Sequence, residues 1–114
     1  MIKIKRGYLY LADLNPRRGT ESGKVRPVVV LQNDLLNDEG HFSTLVLPCT
    51  TSLTSSNILR VRLPKACAGN DKECDVMIDQ SRAIDNRRFK KNLGFVPPLL
   101  FREVVEKLRM VVGI

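Results

Sequence analysis

Four consecutive apolar residues, Val28-Val29-Val30-Leu31, stand directly after Arg26-Pro27 and end at Gln32-Asn33. A short run rich in β-branched side chains and bounded by turn residues reads as a buried strand. Pro27 has no N–H to give a sheet, so it belongs at the first position of that strand. It also biases Arg26 away from helix and into extended backbone. Arg26 is therefore held where a polar lead-in, Gly23-Lys24-Val25, meets a rigid core strand. A cation fixed in that way suits a phosphate or a carboxylate. Taken alone, an arginine that merely solvates the strand end is the simpler account.

The chain has 114 residues, enough for one domain spanning 1–114 with a real core and too few for two. Hydrophobic residues make up 43%, so the chain is expected to fold, and no apolar run reaches membrane-spanning length. The start, Met1-Ile2-Lys3-Ile4-Lys5-Arg6, is basic with no apolar signal-peptide core after it, so a cytoplasmic location is expected. The net charge of +7 favours a polyanionic partner: nucleic acid or an acidic protein segment. No cationic amphipathic helix points to a membrane surface. Cys49, Cys67, Cys74 and the single His41 have no metal-ligand spacing. They read as buried or idle thiols, with a Cys67–Cys74 disulfide as the weaker alternative.

Taken in order, Gly7–Leu14 reads as a first strand that ends at Asn15-Pro16. Residues 17–24 form a polar, cationic, glycine-punctuated loop, and long loops on a sheet scaffold are where binding chemistry tends to sit. Asp34–His41 reads as a helical turn or loop, and Ser43–Thr51 as a third strand that leaves central pairing at Pro48. Ile58–Leu63 alternates, with Arg60 and Arg62 on an outward cationic face. Cys74–Asp85 reads as a fifth strand that turns polar at Asp79-Gln80-Ser81-Arg82, followed by a cation-rich stretch at 86–91. Leu93–Val96 is a short last strand. Pro98 then opens an amphipathic helix in which Leu100, Phe101, Val104, Val105, Leu108, Val111 and Val112 recur at helical spacing, and Gly113 stops it. The composite is mostly β with α additions: five or six strands in a small antiparallel barrel with a C-terminal helix.

Several short motifs now stand in a fixed order: Arg6-Gly7, Asp13-Leu14-Asn15-Pro16, Gly19-Thr20-Glu21, Val25-Arg26-Pro27-Val28-Val29-Val30, Pro48-Cys49-Thr50-Thr51 and Asp79-Gln80-Ser81-Arg82-Ala83-Ile84-Asp85. In order and spacing, over essentially the whole chain, this set resembles the MazF/PemK family of bacterial toxin endoribonucleases. The resemblance implies an SH3-like barrel, a homodimer and a cognate antitoxin with an acidic, disordered tail. DNA would be met only indirectly, through the antitoxin. It also implies cleavage of single-stranded RNA at short recognition sequences, with no metal or other cofactor. Catalysis would fall to Arg26 and Thr50. Thr20, Glu21, Thr51, Asp79, Gln80 and Arg82 would line the RNA groove. The chain departs from the pattern at Ser22, where many relatives carry Gln, and at Thr20 and Met77, where one branch carries His and Arg, which leaves the general base and the recognised sequence open.

The chemistry is consistent with those residue types. A ribose 2′-OH lies next to its own phosphorus, so it can act as nucleophile without a metal. The transition state gathers negative charge, for which an arginine fork and a threonine hydroxyl are suitable donors. Arginine is always charged near neutral pH and makes a poor base, so Glu21, Asp79 or solvent are the candidates. Arg17, Arg18, Lys24 and Arg87 are expected to add phosphate contacts. Aromatic residues are only 5% of the chain, so base stacking should be sparse, and Tyr8 and Tyr10 read as core or interface residues. Two other readings compete. One is a non-catalytic, CcdB-like inhibitor of DNA gyrase on the same barrel, which would lack the Arg-Pro and Pro-x-Thr pair. The other is a plain basic single-strand-binding barrel, which gives no reason for that pair.

Overall fold

A computed structural model of the chain describes residues 2–16, 19–20, 24–54 and 58–114. Among the described residues seven strands form one antiparallel system: β1 (Tyr8–Asp13), β2 (Val25–Val30), β3 (Ser43–Thr50), β4 (Arg60–Leu63), β5 (Cys74–Met77), β6 (Arg82–Asp85) and β7 (Phe89–Phe95). Among the described residues two α-helices accompany them, α1 (Asp34–Asp38) and the C-terminal α2 (Pro98–Val112). The hydrogen-bonded order is β4-β5-β3-β2-β1-β7, with β6 paired to β3. Among the described residues no pairing joins β7 back to β4, so the barrel is an open one. Two register irregularities between β1 and β7 supply the local bending that such a shape needs.

The apolar run of β2 is continuous because both of its faces are covered. Val29 and Leu31 enter one core with Leu9, Leu47, Cys49, Val61, Leu63, Val76, Ile78 and Val104 of α2. Val28 and Val30 enter a second core with Tyr10, Ala12, Val46, Ile84 and Phe89. Tyr10 is fully buried there, its ring edge-on to Phe89 at 5.3 Å and its hydroxyl donating to the Lys3 carbonyl at 2.9 Å. It is a core residue, one of the two roles read for it. The N-terminal segment completes this side, with Ile2 and Ile4 packed against the second core.

The helix begins and ends where the sequence placed it. Pro98 occupies its first turn, and Gly113 closes it in the left-handed conformation at φ 86, its amide donating to the Arg109 carbonyl at 2.8 Å. Its packing seam is shorter than the pattern predicts. Val104 is buried and Leu100, Phe101 and Leu108 pack partly on the first core, but Val111 and Val112 are exposed. Among the described residues, no helix is long and apolar enough to cross a membrane.

Two strand expectations need correction. The fourth strand starts at Arg60 instead of Ile58. The fifth is not one strand over Cys74–Asp85, because a 3₁₀ turn at Ile78–Gln80 divides β5 from β6. The division follows from register. β5 pairs with the end of β3, Thr50 opposite Asp75, while β6 pairs with its beginning, Val46 opposite Arg82. An unbroken strand would set Asp79 opposite Val46, so the turn absorbs the residues between, with Ile78 buried as its anchor. The last strand is longer than expected and takes in the cationic stretch Lys90-Lys91. β3 does leave central pairing before Thr50: Pro48 is its last residue paired with β2, opposite Val28, and among the described residues Cys49 and Thr50 pair with β5 alone.

Candidate active site

Arg26 and Thr50 come from neighbouring core strands and meet at one pocket. Lys24, Val25, Arg26, Pro27, Cys49, Thr50, Thr51, Ser52 and Cys74 wall a space of about 240 Å³. The Arg26 guanidinium donates from Nη1 to the Cys49 carbonyl at 3.2 Å, so the cation is tied to the residue before Thr50. Thr50 is the last residue of β3, and its Oγ1 accepts the Ser52 amide at 3.1 Å. That bond occupies an acceptor site and leaves the hydroxyl able to donate; among the described residues no protein acceptor takes its proton. Lys24 enters from the loop side in a left-handed conformation, φ 68, pinned by its amide on Asn15 Oδ1 and its carbonyl on the Leu14 amide, each at 2.8 Å.

A second pocket of about 280 Å³ continues the first, sharing Pro27, Thr51 and Cys74. Its far wall brings Lys72 and Lys91 around an apolar floor of Leu11 and Leu93. Neither lysine was singled out from the sequence, although Lys91 lies in the cation-rich stretch. A larger cavity, about 910 Å³, lies elsewhere, between the N-terminal segment, Phe42 and Asp85–Arg87, and contains neither Arg26 nor Thr50.

The other residues read as binding positions are distributed as follows. Thr51 lies on the wall shared by the two pockets. Asp79 is exposed and Gln80 half-buried on the 3₁₀ turn, and Arg82 opens β6; none of the three lines the Arg26–Thr50 pocket. Thr20 is exposed in a turn. Arg17, Arg18 and Glu21 lie outside the described residues. Arg87 lines the large cavity and forks onto Asp85, Nε to Oδ1 at 3.0 Å and Nη2 to Oδ2 at 2.9 Å. Those side-chain bonds, with the Arg87 amide, hold the Asp85 carboxyl down at about 2.

Arg60 and Arg62 do not form the free cationic face read from their alternation. Both turn onto Asp75, which is 1% exposed. Arg62 Nε donates to its Oδ1 at 2.6 Å and Arg60 Nη1 to its Oδ2 at 3.4 Å. A buried carboxylate needs such partners. Burial alone would raise its pKa, but the Arg62 bond, the Thr54 amide and both charges outweigh burial and hold it below the ordinary carboxylate range. The signal in the sequence was Asp75 itself, the one acidic residue inside Cys74-Asp75-Val76-Met77-Ile78.

All three cysteines are free, so the disulfide alternative does not form. The hydrogen bond with Cys74, and then complete burial, push the Cys49 thiol well above its ordinary range. Cys49 is thus a neutral wall of the pocket. Among the described residues no three His, Cys, Asp or Glu side chains converge as metal ligands.

Comparison with known proteins places the chain in a family. Residues 5–112 match the family model of the PemK-like, MazF-like toxins of type II toxin–antitoxin systems. A protein of Staphylococcus epidermidis named Endoribonuclease MazF is 35% identical over 112 residues, covering 97% of this chain and 92% of its own length. The crystal structure of MazF from Deinococcus radiodurans superposes with a TM-score of 0.85 at 26% identity, over 100% of both chains. A MazE–MazF complex from the same organism gives 0.79 at 27% identity, over 100% of this chain and 99% of that one.

Proposed function

The chain belongs to the PemK-like, MazF-like toxins of type II toxin–antitoxin systems, and from that membership we propose that it is an endoribonuclease that cuts single-stranded RNA at short sequences through the Arg26–Thr50 pair. The observation that carries the reading is the shared pocket: one permanent cation and one hydroxyl donor, on adjacent core strands, facing the same space. A scissile phosphate seated there would receive the Arg26 fork on its non-bridging oxygens and the Thr50 hydroxyl beside it. The neighbouring ribose 2′-OH attacks phosphorus in line and the 5′-oxygen leaves, taking a proton from Arg26 or water, to give a 2′,3′-cyclic phosphate and a free 5′-OH. The tethered nucleophile lets this proceed without a metal. The two donors stabilise charge that exists only in the transition state. Water or Glu21 would accept the 2′-OH proton; Asp79, outside the pocket lining, could do so only through a water. Unstacked bases would be read along the groove by hydrogen bonds more than by stacking.

The net charge of +7 supports two polyanionic partners, the RNA and an antitoxin with an acidic tail that competes for the same surface. The solved MazE–MazF complex of the D. radiodurans relative supports an antitoxin partner here too. We place the protein in the cytoplasm as a homodimer, meeting DNA only through that antitoxin.

The test is a gel assay in excess EDTA, with a long single-stranded RNA, its DNA counterpart and Arg26→Ala alongside. Discrete RNA fragments ending in cyclic phosphate, intact DNA and an inactive variant are expected. Intact RNA from well-folded protein would overturn the reading and favour a gyrase-inhibiting or purely RNA-binding toxin.

A further inference from the structure

Three residues stand in a row across the strands beneath the pocket: Thr50 of β3 faces Asp75 of β5, which faces Arg62 of β4. The next residues along β3 and β5, Cys49 and Val76, point into the first core, so this row lies on the opposite side of the sheet. There the chain leaves Thr50 and turns back over it. Among the described residues that turn bonds to Asp75 and Arg62 of the row and to Arg60 beside it. The Thr54 amide donates to Asp75 Oδ2 at 3.0 Å. Arg62 Nη2 donates to the Thr54 carbonyl at 3.1 Å, and Arg60 Nη1 to the Ser52 carbonyl at 3.2 Å. Both arginines also bind Asp75, so the carboxylate aligns them and they hold the carbonyls. Lys107 of α2 donates to the Arg60 carbonyl at 2.8 Å, fixing that strand in turn. The turn then supplies the Ser52 amide that binds Thr50 Oγ1 at 3.1 Å and sets where its hydroxyl points.

We propose that Asp75 is a positioning residue for the RNA-cleaving reaction: through Arg60 and Arg62 it holds the 52–54 turn, and the turn aims the Thr50 hydroxyl at the scissile phosphate. This rests on the catalytic reading of Thr50 given above. Asp75 touches no substrate. Its contribution is to the orientation of a donor, which affects the chemical step more than RNA binding. Neutralising it leaves both arginines without their shared anion, and they release the Ser52 and Thr54 carbonyls.

The experiment compares Asp75→Asn, Thr50→Val and the double variant in single-turnover cleavage of a short RNA, with amide hydrogen exchange on each protein. Asp75→Asn is expected to lower the cleavage rate roughly 10- to 100-fold with little change in RNA affinity, the scale of a small misplacement of a reacting group. In the Thr50→Val background it should cost nothing further, because the group it positions is gone. The Ser52 and Thr54 amides should exchange faster in Asp75→Asn while Val28–Val30 stay protected. If Asp75→Asn does not fold, Arg60→Gln replaces it, removing the Ser52 tie while the Arg62–Asp75 pair stays. Losses that multiply in the double variant, or Ser52 and Thr54 amides that do not respond, would overturn the inference and leave the endoribonuclease reading standing. A Thr50→Val protein that cleaves at full rate would overturn the role of Thr50 and the inference with it.

Discussion

Replacing Arg26 by lysine keeps the charge and changes only how it is held. Guanidinium is a rigid plane with five N–H donors, and here one arm is tied to the Cys49 carbonyl at 3.2 Å. That tie fixes the plane beside Thr50 before any RNA arrives. Lysine has a single nitrogen on a flexible stem and cannot hold the carbonyl and a phosphate edge in one fixed geometry. Loss of one preorganised donor costs about 10²–10³ in rate, or about 2.7–4 kcal/mol of barrier. Loss of the bond to the Cys49 carbonyl should cost the fold about 1 kcal/mol, which lowers Tm by about 4–8 °C and leaves the domain folded at 25 °C. The assay is single-turnover cleavage of an end-labelled RNA oligonucleotide carrying the cut site mapped for the parent protein. Arg26→Lys should lose about 10² and Arg26→Ala at least as much. If Arg26→Lys cleaves within about threefold of the parent, under about 1 kcal/mol, charge alone suffices and the argument from the fork is wrong.

Other outcomes follow from the same structure. In the Lys72→Ala, Lys91→Ala double variant, the slope of log affinity for single-stranded RNA against log salt should flatten by about 1.4, or about 0.7 per lost phosphate contact; an unchanged slope would remove the second pocket from the RNA path. Gly69 has φ +80, and a Cβ there would lie 2.0 Å from the Leu93 carbonyl oxygen, so Gly69→Ala should cost roughly 2–4 kcal/mol through backbone strain and overpacking. Thermal denaturation checks this, and an unchanged Tm would contradict it. Asp85 has a lowered carboxyl pKa, so its pairing with Arg87 persists above the ordinary carboxylate value of about 3.9 and is lost as pH falls toward about 2. Carbon-detected NMR titration should place its midpoint there. Arg87→Ala should raise it only part of the way, because the residue 87 amide bond to Asp85 remains.

The parts of the fold that were legible in the sequence are those set by local pattern. The Val28–Leu31 run, the proline-led helix and the exit of β3 from central pairing before Thr50 each follow from residues a few positions apart. The division of 74–85 was not legible, because Val76 through Asp85 suits extended backbone throughout and only pairing with both ends of β3 requires the break. The arginines of β4 were misread for the same reason. Alternation gives the face on which Arg60 and Arg62 lie, but Asp75 covers that face from another strand. In the site, Arg26 and Thr50 were legible as motif positions. Lys72 and Lys91 were not, because they reach the groove from a turn and an outer strand far apart in the chain.

β2 and β3 have a consequence for how such a protein can be controlled. Val28, Val29, Val30, Val46, Leu47 and Cys49 have no exposed surface, and they fill both cores at once. The segments bearing Arg26 and Thr50 are therefore among the last to open, and loosening them means unfolding the domain. A partner that controlled such a protein would have to act on its surface and on the loops around it, and the duration of that control would be set by the lifetime of the cover.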